Sequence, residues 1–195
     1  MNIFIDCGTH LGQGLRSFIE KFEMNESWSI HTFEANPITY KIYAKNYHRQ
    51  NEYVRFYNVA LSGFDGATDI NVETPPGEGE TGQGSSIIDL ERWNPWGGSP
   101  RKNFLTSYRI PCWSLSRFIK ENFNKDDRIV IKMDIEGSEY DALEKMIEEG
   151  TIEWVDHIFI EFHSRFFTNK SEVLKRENSI VEKIKSIEIK FEGWV

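Results

Sequence analysis

Asn2-Ile3-Phe4-Ile5-Asp6-Cys7-Gly8-Thr9-His10-Leu11-Gly12 is the stretch whose reading decides the fold. Its apolar run reads as a buried strand that stops at an acid and then at a glycine. Gly8 permits a tight turn, and its missing side chain lets a ligand lie against the backbone. Gly12 and Gly14 permit close approach of the following element. Residues 12–22 then carry Leu15, Phe18, Ile19 and Phe22 at i, i+3, i+4 and i+7, which predicts a helix. A strand, a glycine turn and a helix open a nucleotide-binding α/β unit.

Outward from this unit, short apolar runs alternate with helical patterns. Residues 29–34 read as a second strand, Pro37 as the first turn of a helix reaching about residue 47, and 54–59 as a third strand. Residues 67–72 alternate and predict an accessory strand. After a long interval come a strand at 108–112 and a helix at 114–122. A strand at 128–134 and a helix at 138–149 follow. Another strand at 157–161 precedes a helix at 171–186 and a last strand at 187–191. This order predicts a single α/β domain over residues 1–195, Rossmann-like. Its doubly wound sheet is mainly parallel, has helices on both faces and ends in a C-terminal antiparallel strand. Residues 74–103, with Pro75-Pro76, several glycines and Trp93-Asn94-Pro95-Trp96-Gly97-Gly98, are too long for an idle connection and read as a lid or acceptor loop.

The net charge of −8 and the lack of a strong basic run disfavour a nucleic-acid partner. Cys7 and Cys112 match no metal spacing and read as reduced thiols. The chain start lacks the basic and apolar regions of a signal peptide, and no run approaches the ~20 apolar residues of a membrane helix. The expectation is a cytoplasmic protein that needs no membrane.

The strand ends carry the chemistry. Glu34, at the end of the second strand, is placed to accept both hydroxyls of a ribose. Asp6, at the end of the first, suits a cationic amine. An acid in this loop would repel the pyrophosphate of a dinucleotide, and G-x-G-x-x-G is absent, so the charge argument selects S-adenosylmethionine over NAD. Asn58, or a backbone N–H of the turn after it at Ala60, is within reach of an adenine edge. His10 sits in the glycine loop near the expected methionine end. At the fourth and fifth core strands, Asp134, Glu136, Glu161 and His163 are the candidates for the reacting centre. Glu161 and His163 share a strand face, so both can converge with Asp134. Two schemes fit. His163 can act as a general base oriented by a carboxylate. Alternatively Asp134, Glu161 and His163 can hold a divalent cation such as Mg²⁺ that acidifies an acceptor hydroxyl. Lys132, inside an apolar strand, needs a buried partner and is expected to pair with a strand-tip carboxylate. Glu139 reads as charge on a helix surface.

These motifs together resemble the FkbM-type methyltransferases, class I enzymes that use S-adenosylmethionine. The resemblance rests on Asp6-Cys7-Gly8, Thr32-Phe33-Glu34-Ala35-Asn36-Pro37, Val59-Ala60-Leu61-Ser62, Gly84-Ser85-Ser86, and above all Lys132-Met133-Asp134-Ile135-Glu136-Gly137-Ser138-Glu139. It implies O-methylation and that Asp6, Gly8 and Glu34 bind the cofactor; with the residues read from the strand ends, the expected cofactor set is Asp6, Gly8, His10, Gly12, Glu34, Ala35, Asn58, Ala60 and Asp134. It also implies that Asp134 and Glu136 lie beside the reaction centre, to which the strand-tip reading adds His163 as a catalytic candidate. Ser116 stands where the family often has an acid. The resemblance further suggests a hydroxyl of a sugar, such as a rhamnosyl unit, or of another small molecule as the acceptor. Trp93, Trp96 and Trp113 could stack on a sugar face or pin the loop to the core, and Arg92, Arg101 and Lys102 could hold an acidic group. The competing readings are an NAD-dependent oxidoreductase and an inactive fold that binds the cofactor without turnover.

Overall fold

A computed structural model of the chain describes residues 1–47, 53–73, 82–95, 104 and 106–194. The central sheet has six parallel strands in the order β3-β2-β1-β7-β8-β9. They are β1 (Asn2–Cys7), β2 (Trp28–Phe33), β3 (Val54–Tyr57), β7 (Arg128–Met133), β8 (His157–Ile160) and β9 (Lys190–Gly193). The chain runs outward from β1 to β3, then returns to the other side of β1 and runs outward again through β7 to β9. The direction of winding therefore reverses between β1 and β7, and the crevice above such a reversal is where open α/β sheets bind ligands.

Alternation along β1 feeds both faces. Ile3 and Ile5 join Leu115, Phe118, Leu143 and Ile184 on one face. Those residues come from α3 (Leu115–Asn122), α4 (Glu139–Glu148) and α5 (Lys170–Lys185). Phe4 turns to the other face and packs with Leu15, Phe18, Tyr43 and Phe159, against α1 (Gln13–Lys21) and α2 (Pro37–Tyr47). Both faces of a parallel sheet are covered, so its strands are apolar almost throughout.

Two expectations need correction. The last strand is not antiparallel: β9 pairs with β8 in parallel, from His157↔Lys190 to Ile160↔Gly193. The 16-residue α5 carries the chain back along the sheet, so a strand following it re-enters in the same direction as β8. The third strand also stops at Tyr57 rather than running to residue 59. There Asn58 turns its Nδ2 onto the carbonyls of Glu34 and Ala35, at 2.9 and 3.1 Å. The chain continues as β4 (Ala60–Ser62), which enters a second sheet of order β4-β6-β5. In that sheet β6 (Thr106–Ser114) pairs in parallel with β4 and antiparallel with β5 (Gly66–Val72), the accessory strand expected from its alternation. Of the expected lid loop, 74–81 and 96–103 lie outside the described residues. Among the described residues, no helix is long and apolar enough to cross a membrane.

Candidate active site

The turn after β1 is built around Gly8, whose φ is +80°. Its backbone N–H and that of Thr9 both donate to the Phe33 carbonyl, at 3.0 Å each, which ties the tip of β1 to the tip of β2. A Cβ on Gly8 would lie 1.7 Å from the Asp134 carbonyl oxygen, so the β7 tip is packed directly against this turn. The three strand tips thereby form one floor.

Beneath that floor lies a buried ion cluster. The Lys132 ammonium donates to the Gly8 carbonyl at 2.6 Å and lies 3.4 Å from both Asp6 Oδ1 and Asp134 Oδ2. The expected lysine–carboxylate pairing is therefore present, and doubled. Asp6 is fully buried and also accepts from the Thr9 hydroxyl. Burial holds the Asp6 carboxyl above its ordinary range, with Lys132 opposing the shift. Burial alone would lower Lys132, yet the Asp6 and Asp134 carboxylates outweigh it and raise it.

Above the floor opens a cavity of about 520 Å³. Of the proposed cofactor set, Gly8, His10, Glu34, Ala35, Ala60 and Asp134 line it, and so do Glu136, Glu161 and His163. Asp6, Gly12 and Asn58 do not. Asp6 lies below, facing Lys132. Gly12 caps α1 in the left-handed conformation. Asn58 braces the β2–β3 tips through its side-chain amide. Glu34 is buried, and its two carboxylate oxygens accept from the backbone N–H groups of His10 and Asn36, each at 2.8 Å. Burial pushes its pKa up to about 7, against those two hydrogen bonds. Two non-glycine residues of the cavity wall, His10 and Glu136, adopt positive φ of 51° and 50°. Such strain is characteristic of functional positions.

At the other end of the cavity stands His163, 1% exposed. Its Nε2 is 3.7 Å from Asp134 Oδ1, 3.6 Å from Glu136 Oε2 and 3.7 Å from Glu161 Oε1. The convergence read from strand periodicity therefore occurs, although β8 ends at Ile160 and Glu161 and His163 follow it. Burial would lower the imidazole, but Glu139, Glu136 and Asp134 raise it to about 9. Burial lifts Glu136 to about 8, with His163 opposing. Glu161 is also bound by Arg165, which lines the cavity as well.

Glu139 is the important residue misread from the sequence. It is not surface charge: it is fully buried, and its Oε1 accepts the His163 backbone N–H at 2.9 Å and faces His163 Nδ1 at 3.1 Å. Its Oε2 accepts the Gly137 N–H at 2.9 Å. The signal was available, because Glu139 closes the Lys-x-Asp-x-Glu-Gly-x-Glu run at the start of α4, beside buried Tyr140. Of the two readings of the tryptophans, packing against the core is the one seen for Trp93 and Trp113. Trp93 is fully buried against Phe166 and Phe167, and Trp113 packs on Phe118 and Tyr57. Neither is among the residues that line the cavity. Arg92 lies over the Phe167 ring. Trp96, Arg101 and Lys102 lie outside the described residues.

Residues 6–183 match the family model described as the methyltransferase FkbM domain. The chain belongs to the FkbM methyltransferase family. A solved structure, the methyltransferase FkbM from Methylobacillus flagellatus KT, resembles this FkbM chain with a TM-score of 0.48 and 14% sequence identity. The likeness covers 93% of this chain and 37% of that one, so the FkbM chain described here spans little more than a third of that protein. No curated protein sequence matches it. Within the FkbM match fall the floor of Asp6, Lys132 and Asp134 and the cluster around His163.

Proposed function

We propose that the chain is an S-adenosylmethionine-dependent methyltransferase acting on a hydroxyl oxygen of a small molecule or glycan. The observation that carries this reading is Glu34, a buried carboxylate at the tip of β2 that lines the cavity with both oxygens already oriented by backbone N–H groups. A carboxylate so held keeps lone pairs for two adjacent ribose hydroxyls. The cavity volume lies within the range of sites that enclose cofactor-sized ligands. The donor set therefore fits S-adenosylmethionine, which when bound supplies a methyl group already activated by a sulfonium.

The residues of the chain divide the remaining work. Glu34 and the backbone around Gly8 and Ala35 hold the nucleoside end. Lys132 fixes Asp134 at the junction between the two ends of the cavity. Asp134, Glu136, Glu161 and His163 receive the acceptor hydroxyl and take up its proton. Their density of hydrogen-bond acceptors favours an acceptor rich in hydroxyl donors, as a rhamnosyl or related sugar unit is. Calorimetry with S-adenosylmethionine and S-adenosylhomocysteine tests the reading. Both should bind to the wild type, and Glu34→Gln should weaken both at least tenfold. Labelled methyl transfer to a panel of rhamnosyl and related glycans then tests the acceptor. Absence of binding by either nucleoside refutes the enzyme class; binding without uptake by any glycan refutes the sugar.

A further inference from the structure

The far end of the cavity holds one nitrogen facing three oxygens across a gap. The separations from His163 Nε2 to Asp134, Glu136 and Glu161, 3.6–3.7 Å, exceed a hydrogen bond. Among the described residues, no hydrogen bond reaches this Nε2. The ring cannot turn to find one. Glu139 Oε1 holds Nδ1 and also accepts the backbone N–H of the same residue. With Nδ1 held by Glu139, Nε2 is left facing three carboxylates across a gap wide enough for one further atom. A cation seated in that gap would be bound by Nε2 and the carboxylates in place of a proton. A histidine whose other nitrogen is anchored on a carboxylate is also how proteins orient a metal ligand.

We infer that Asp134, Glu136 and His163 form a binding site for one divalent first-row transition cation. One ligand atom from each residue lies within 4.8 Å of the others. Ligands about 2.1 Å from a tetrahedral cation are about 3.4 Å apart; the Nε2 separations of 3.7 Å to Asp134 and 3.6 Å to Glu136 are already close to that, and the widest separation in the set closes by carboxylate movement of up to about 1.4 Å. One imidazole nitrogen with two carboxylates suits manganese(II) or zinc(II) better than magnesium or calcium, which favour all-oxygen shells. Glu161 is not in the set, because Arg165 already binds it. It stands beside the site, paired with Arg165. The ligand set thus differs from Asp134, Glu161 and His163, the trio that strand periodicity brings together. Glu136, at φ +50°, turns its carboxylate toward His163 Nε2 at 3.6 Å.

The site's role at the reaction centre rests on the methyltransferase reading, but its occupancy does not. The test is therefore a binding measurement on the full chain. After EDTA treatment and dialysis, manganese(II) is titrated in and free ion is read by electron paramagnetic resonance. The expected result is one saturable equivalent, weakened at least tenfold by Glu136→Gln and by His163→Ala and within threefold of wild type in Glu161→Gln. Melting curves establish that each variant is folded, and the conservative Glu136→Gln decides the matter should His163→Ala not fold. Non-saturable binding, or an equivalent retained at full affinity in Glu136→Gln, overturns the site. S-adenosylmethionine calorimetry on the same EDTA-treated protein is scored separately, so failure of the donor reading leaves the cation result standing, and the reverse.

Discussion

Replacing Lys132 by methionine tests the buried ion cluster most directly. Methionine keeps the length and most of the volume of the side chain and removes only the charge. Lys132 is 3% exposed and Asp6 is fully buried, so the substitution leaves a carboxylate without water and with only the Thr9 hydroxyl for company. It also strips the Gly8 carbonyl of its 2.6 Å donor. Removing one partner of a buried ion pair costs about 3–5 kcal/mol. For a chain of this size each kcal/mol lowers the melting temperature by about 2–4 °C, so a fall on the order of 6–20 °C is expected. The sign with pH is fixed. Burial already raises Asp6 above its ordinary value of 3.8, and loss of Lys132 raises it further. Below the unfolded value both states carry the proton and the carboxylate contributes no deficit; the deficit grows as pH rises toward the raised folded value. Thermal unfolding of wild type, Lys132→Met and the double variant Lys132→Met/Asp6→Asn, at pH 5 and pH 8, measures this. The double variant should recover at least half of the loss. A single variant that melts within 2 °C of wild type at pH 8, or a deficit equal at both pH values, refutes the ion-pair account.

Glu34, lifted to about 7 by burial, should make donor binding pH-dependent. Its protonated form offers fewer acceptors, so S-adenosylmethionine affinity should hold above pH 7 and fall below it by up to about tenfold per unit. Calorimetry across pH 5.5–8.5 should show this slope in wild type and a flat profile in Glu34→Gln. Trp93→Ala should cost about 3–5 kcal/mol in urea unfolding, because the ring fills a closed pocket between Phe166, Phe167 and His163. Unchanged stability with a raised acceptor KM would restore a substrate-facing role for that ring.

Much of this architecture was legible from periodicity. The β1 tip was marked by an apolar run closing on Asp6 and Gly8, and the pairing of Lys132 followed from the cost of burying an ammonium alone. What escaped was governed by tertiary contact. Glu139 looks like any acid in a first helical turn, since sequence spacing does not show that the β8 tip will set a histidine on it. Trp93 sits in a loop rich in glycine and proline, where composition implies exposure, yet it bridges Phe167 and is sealed. Asn58 was placed at the correct strand end, but a primary amide serves a backbone carbonyl as readily as a ligand. The direction of β9 was recoverable, because a crossover helix between neighbouring strands of one sheet enforces a parallel return.

The register Asn2↔Arg128 through Cys7↔Met133 joins stretches of chain separated by 126 positions at the very centre of the sheet. No fragment containing only the first or only the second half can assemble the crevice, so ligand recognition reports completion of the whole molecule. The converse also holds by mass action: a small molecule seated across those two strand tips acts as a staple between halves, and at 100 times its dissociation constant it would add about 2.7 kcal/mol to the free energy of global unfolding.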